Sequence, residues 1–119
     1  MRKFKDLEVW KIGFEVMLAV YEISKELPKE EKFGLGDQIR RASVSIPSNI
    51  AEGCSRPSEL EFKRYLEIAM GSAFELETQL LAIKALKLVS IDISNVLDRV
   101  DILQRKLNAL IQSVKTRTN

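Results

Sequence analysis

The chain contains no histidine, one cysteine, three prolines and five glycines among its 119 residues. Each shortage removes a class of function. Without histidine there is no Ser-His-Asp triad, no histidine-ligated zinc and no Glu-x-x-His di-iron bundle. The single thiol, Cys54, makes neither an intramolecular disulfide nor a thiolate metal site, and it suits a reducing compartment. No Ser-x-x-Lys nucleophile motif and no Walker sequence occurs, and Gly34-x-Gly36 lacks the third glycine and preceding strand of a dinucleotide loop. Apolar runs stay well short of the ~18 residues of a membrane span, and no charged leader precedes an apolar one. A cytoplasmic protein without a membrane partner is therefore expected. A charge excess is missing too: nineteen Lys and Arg face seventeen Asp and Glu, a net of +2. Attraction to nucleic acid must then come from clustered basic residues rather than bulk charge. The Asp and Glu residues scatter over different helix faces, so a non-enzyme without a cofactor is the expectation.

What is present is helical periodicity. One domain over residues 1–119 is expected, an all-α, up-down antiparallel four-helix bundle with a proline-kinked second helix. Helices are expected at about 6–27, 35–54, 58–86 and 92–114. Asp6 offers a first N-cap, and Pro28 stops helix one. Arg56-Pro57-Ser58 breaks the chain again, with Ser58 capping helix three and Glu61 completing a capping box. Helix three carries the line Phe62, Leu66, Ala69, Ala73, Leu76, Leu80, Ile83. Helix four carries Val96, Val100, Leu103, Leu107, Leu110, Val114. The small residues Gly71, Ser72 and Ala73 invite a close backbone approach near Pro47. Lys115 to Asn119 read as a frayed polar tail.

Helix one has two apolar stripes. Leu7, Trp10, Phe14, Met17 and Tyr21 form one; Val9, Ile12, Val16, Val20 and Ile23 form another, roughly 140° away at 100° per residue. A surface helix of a small monomeric bundle needs only one. The first stripe is expected to fill the core and the second, Val9, Ile12, Val16, Val20 and Ile23, to meet another subunit.

Helix two holds the stripe Ile39, Ala42, Ile46, Ile50 and Gly53, continuous through Pro47, which cannot donate an N–H and crowds the carbonyl of Ser43. Asn49 is positioned to serve carbonyls that the proline strands. The opposite strip is polar: Gln38, Arg41, Ser45, Ser48 and Glu52. This segment, Gln38 to Gly53, resembles the signature of the 23S rRNA intervening-sequence protein family of small four-helix-bundle proteins. Three other stretches carry the same resemblance in order. They are Phe4-Lys5-Asp6-Leu7-Glu8-Val9-Trp10, then Leu27 to Leu35, then Ile68-Ala69-Met70-Gly71-Ser72 with Glu75-Leu76-Glu77. Gly36-Asp37 before the glutamine and Cys54 in place of a larger residue are small departures, and the segment after Lys87 matches least. The resemblance implies a bacterial homopentamer with a nucleic-acid role. The accessory proteins of diversity-generating retroelements look like the same bundle used beside a reverse transcriptase.

The basic residues that would meet nucleic acid are Arg40, Arg41, Arg56, Lys63, Arg64, Arg105 and Lys106. Arg41 offers a guanidinium fork to phosphate, with serines as secondary donors. Its other use is an ion pair with Glu52; roughly 16 Å of helix separates them, so that pair would cross an interface between copies. The seven residues form small groups that become a track only if copies repeat them around a ring. The sequence thus points to a non-enzymatic homo-oligomeric bundle binding RNA or DNA through backbone phosphates. The alternative is a protein–protein adaptor or scaffold ring whose partner is another protein.

Overall fold

Ser58 and Glu61 start the longest helix by the chemistry expected of them. The Ser58 hydroxyl accepts the Glu61 N–H at 3.1 Å and donates to the Glu61 carboxylate at 2.9 Å, satisfying one of the donors that a helix start leaves unpaired. In the computed structural model, which describes the backbone of residues 2–118 and the side chains of residues 2–117, four helices follow one another. These are α1 (Glu8–Lys25), α2 (Leu35–Cys54), α3 (Glu59–Ala85) and α4 (Ser94–Thr118). Phe4–Asp6 is a short 3-10 turn rather than the start of α1, and Leu7 occupies the cap position without a side-chain bond. α4 begins where the Asp92 carboxylate accepts the Ser94 N–H at 2.9 Å. It runs on through the expected polar tail, because Arg117 reaches across to Glu59 at 2.8 Å; Asn119 lies outside the described residues. Beyond the last helical residue of α3, Lys87 has a left-handed φ of 54°. The Leu88 N–H returns to the Ile83 carbonyl at 3.1 Å and that of Lys87 to Lys84 at 3.2 Å, the double bond of a Schellman ending.

Each helix packs on its chain neighbours and α4 closes back on α1, giving an antiparallel bundle of 47 × 21 × 20 Å. The expected lines of α2 and α3 all lie in the core, as do Val100, Leu103, Leu107, Ile111 and Val114 of α4. Val96 and Leu110 sit half-buried at its margin.

α1 reverses the expected assignment. Val9, Val16, Val20 and Ile23 are 4% exposed or less, and Ile12 packs against the same core. The five residues assigned to an intersubunit contact therefore belong to the subunit's own interior. Phe14 and Tyr21, expected inside, are exposed, with Leu7, Trp10 and Met17 half-buried beside them. Gly13 explains the reversal. It faces α2, and a Cβ there would lie 3.1 Å from Ile46 Cγ2 and 3.7 Å from Pro47 Cδ. Helices that approach this closely leave room for Val and Ile between them but not for Trp and Phe.

The close approach at Pro47 is thus made by Gly13 of α1, not by Gly71, which has open space around it. Ser72 instead bonds the Ser45 hydroxyl at 2.8 Å across the α2–α3 seam. Asn49 donates to the Ser45 carbonyl at 2.7 Å and to its hydroxyl at 2.9 Å. It braces α2 beside the proline rather than serving the Ser43 carbonyl. Gly53 makes the tightest contact with α3: a Cβ would stand 2.8 Å from Tyr65 Cβ.

Candidate functional site

With Val and Ile turned inward, α1 carries its aromatic residues along the edge it shares with α2. Trp10 stacks on Phe14 with centroids 5.1 Å apart, and Phe4 meets the Trp10 edge at 5.2 Å. Pro47, Ser48 and Ala51 of α2 border this band, which also takes in Met17. Toward the Lys25 end of α1 the same edge opens into a groove of about 650 Å³. Tyr21 forms one wall, with Asp37, Arg40, Arg41, Val44, Ser45 and Ser48 along the other.

A second apolar band lies on α3. Phe74 is 57% and Leu81 47% exposed, with half-buried Met70 one turn before Phe74. Ser72 points to α2 through Ser45, whereas Glu77 points to α4, where it accepts from Gln104 at 2.9 Å. At 100° per residue Phe74 falls about 60° from Glu77 and about 160° from Ser72. The band therefore faces the α4 side, across the bundle from the α1–α2 band. Nothing in the sequence set Phe74 and Leu81 apart, because they interrupt no periodic line; their exposure appears only once α3 is rotated onto the core.

Most of the seven basic candidates already have partners. Arg40 is ion-paired with Asp37 and donates to the Lys32 carbonyl at 3.2 Å. Arg56 meets Glu52 at 3.4 Å and the Tyr65 hydroxyl at 3.1 Å, with its guanidinium 5.1 Å over the Tyr65 ring. Lys63 stands 3.9 Å from Glu67, Arg105 bonds Asp101, and Lys106 crosses to Glu8 of α1 at 2.6 Å. Glu52 is therefore held by Arg56 within the subunit, not by Arg41. Among the described residues Arg41 and Arg64 have no acidic partner. Arg40 and Arg41 share the α1–α2 groove, while Arg56, Lys63 with Arg64, and Arg105 with Lys106 lie on separate faces, so one subunit presents no continuous basic track.

The end of the bundle where α2 turns into α3 gathers two further arginines, Arg2 and Arg117. Arg2 is ion-paired with Glu59, lies 4.0 Å over the Phe62 ring and donates to the Arg56 carbonyl at 3.4 Å. Arg117 shares the same Glu59. Nearby Cys54 is buried; burial pushes its thiol pKa up, and the charge of Arg2 opposes this only in part. Hydrogen bonds from Ser94, first from its backbone N–H, hold Asp92 below the usual carboxylate range. Among the described residues no three Cys, Asp or Glu side chains group as a metal site, and no helix is long and apolar enough to cross a membrane.

Known proteins share this architecture. A crystal structure of a protein with unknown function from the S23 ribosomal protein family of Bacteroides thetaiotaomicron VPI-5482 is 25% identical in sequence. It covers 87% of this chain and 97% of its own, with a TM-score of 0.77. No curated protein matches the chain. The 23S rRNA-intervening sequence protein family matches residues 5–109. That stretch takes in α1, α2, α3 and most of α4, so the chain belongs to the 23S rRNA-intervening sequence protein family.

Proposed function

We propose that this protein is a non-enzymatic assembly module, a helical bundle that associates with copies of itself and works as a scaffold in the cytoplasm. The observation that carries the reading is the pair of unlike apolar bands on opposite sides of the bundle. One is Trp10, Phe14, Met17 and Leu18 along α1; the other is Met70, Phe74 and Leu81 on α3. Single exposed apolar residues are ordinary, but grouped ones mark contact surfaces. Two different patches on opposite faces fit a heterologous, head-to-tail contact, which closes into a ring when the rotation per subunit permits. The family resemblance supplies five as the expected number of copies, and the ring then serves as a platform for another protein.

Light scattering on a sizing column tests this. Phe14→Lys and Phe74→Lys should each give a smaller, fully helical species. Mixing the two variants should restore one intact contact and stop at a pair. An unchanged mass for both variants would sink the proposal, and a lone variant that still pairs would replace head-to-tail with two-fold association.

A second reading, binding of RNA or DNA through backbone phosphates, is favoured by the exposed guanidinium groups of Arg41 and Arg64, which have no acidic partner among the described residues. Repeated around a ring, two free arginines per subunit become a multivalent basic surface. Such contacts read phosphate rather than sequence, so selection would rest on RNA shape. Reversing both charges should lower RNA affinity and flatten its salt dependence; an unaltered slope in the double variant would refute this reading.

A further inference from the structure

The groove between α1 and α2 combines one uncompensated positive charge with hydroxyl donors and an aromatic wall. Arg40 and Asp37 neutralise each other there, and Arg40 is further held by the Lys32 carbonyl at 3.2 Å. What remains is the charge of Arg41. Its guanidinium is exposed and, among the described residues, makes no ion pair or hydrogen bond; the same holds for the side chains of Ser48 and Tyr21. Ser45 differs, since Asn49 at 2.9 Å and Ser72 at 2.8 Å already engage its hydroxyl, so it fixes the floor of the groove rather than offering a free donor. Arg41, Val44, Ser45 and Ser48 share one face of α2, and Tyr21 stands opposite with 41% of its surface exposed.

These groups sort by chemistry along the groove. Arg41 and Ser48 are seven residues apart, about 10 Å along a helix, a length that one nucleotide spans. A guanidinium fork binds phosphate oxygens through paired, charge-assisted hydrogen bonds. The unoccupied Ser48 hydroxyl at the other end suits the polar edge of a sugar or base. The Tyr21 ring offers a π-face on which a base can stack, an interaction that tolerates any base. The net charge of one matches one phosphate group, and the groove of about 650 Å³ is open along its length, so the attached chain need not end inside it.

From this arrangement we infer that the α1–α2 groove is a phosphate subsite for a nucleotide or single-stranded nucleic acid, with Arg41 gripping the phosphate and Tyr21 carrying the adjoining base. This deepens the phosphate-binding reading above by naming the site and favouring a single strand, since a duplex buries the base faces that Tyr21 would need.

Ligand-observed NMR titrations of the wild-type assembly with inorganic phosphate, AMP, adenosine and a short single-stranded RNA test the inference. AMP and the RNA should bind and adenosine should not. Arg41→Gln should weaken binding on the order of 10- to 100-fold, and Tyr21→Leu should weaken AMP but not inorganic phosphate. RNA far tighter than AMP identifies a polymer as the source of the phosphate, and comparable affinities identify a free nucleotide. Absence of AMP and RNA binding, or full retention of both in Arg41→Gln, overturns the site. RNA binding that depends on Arg64 and ignores Arg41 also overturns it, yet leaves the broader phosphate reading standing.

Discussion

The two sides of α1 are equally apolar in sequence and opposite in fate. Val9, Val16, Val20 and Ile23 disappear into the bundle, whereas Phe14, Leu18 and Tyr21 remain at 38%, 52% and 41% exposure. Hydrophobicity alone would bury the aromatics first, because they remove more area from water. Fit decides otherwise: Gly13 sits among the valines and lets α1 settle against Ile46 and Pro47, a separation that only short side chains fill. Burial on a helix is thus set by how near its neighbour can come, and the larger residues are left at the surface of the subunit.

Substitutions at matched inner and outer positions sharpen that contrast. Val16→Lys places an ammonium in fully apolar surroundings and should cost several kcal/mol, enough to abolish cooperative thermal unfolding followed by circular dichroism. Phe14→Lys, two residues away, should leave the melting curve of the subunit nearly intact. If Val16→Lys melts like the wild type, the inward assignment is wrong. Glycines form the next pair. Gly53→Ala forces a Cβ to 2.8 Å from the Tyr65 Cβ, and the resulting shift of α2 against α3 should destabilise by about 1–3 kcal/mol in urea titration. Gly71→Ala has open space around it and should instead stabilise by up to about 1 kcal/mol through helix propensity alone. Lys87→Gly, in a left-handed Schellman position, should also stabilise, by roughly 0.5–1 kcal/mol. The smallest effect belongs to exposed Asp92. Its pKa is lowered in the fold, so its contribution is present above the ordinary carboxylate pKa and lost as pH falls through the folded value. Asp92→Ala should therefore be less stable than wild type at neutral pH and converge with it in acid. A gap that persists at low pH would assign the effect to something other than the Ser94 hydrogen bonds.

Much of this was legible beforehand, for reasons that also mark where legibility ends. The stripes of α2 and α3 each have a single apolar side, so periodicity alone oriented them, and the Ser58 cap announced itself through Glu61. For α1 periodicity supplied two stripes and no means of ranking them; Gly13, inside the valine stripe, was the overlooked sign of the closely packed side. The charges divide in the same way. Lys63 with Glu67 and Arg105 with Asp101 are four residues apart on one helix, a spacing that makes neighbours of them in any helix, and Arg56 lies four residues past Glu52, just beyond the end of α2. Lys106 with Glu8 and Arg99 with Glu15 join α4 to α1, which only the packed bundle reveals. That arithmetic lowers the standing of the basic residues as a nucleic-acid surface. It raises that of the apolar bands, whose Phe14, Leu18, Phe74 and Leu81 stay exposed on the subunit.

Glu59 holds Arg2 and Arg117 together, so the two extremities of the described chain come to rest at one corner of the bundle. The fold is therefore a nearly closed circuit whose opening point is a matter of chain order, not of packing. A circular permutant that runs from residue 117 through a short linker into residue 2, cut instead in the turn at Phe33–Gly34, would keep every seam between helices. It would also free the corner around Glu59 from having to serve as both entrance and exit.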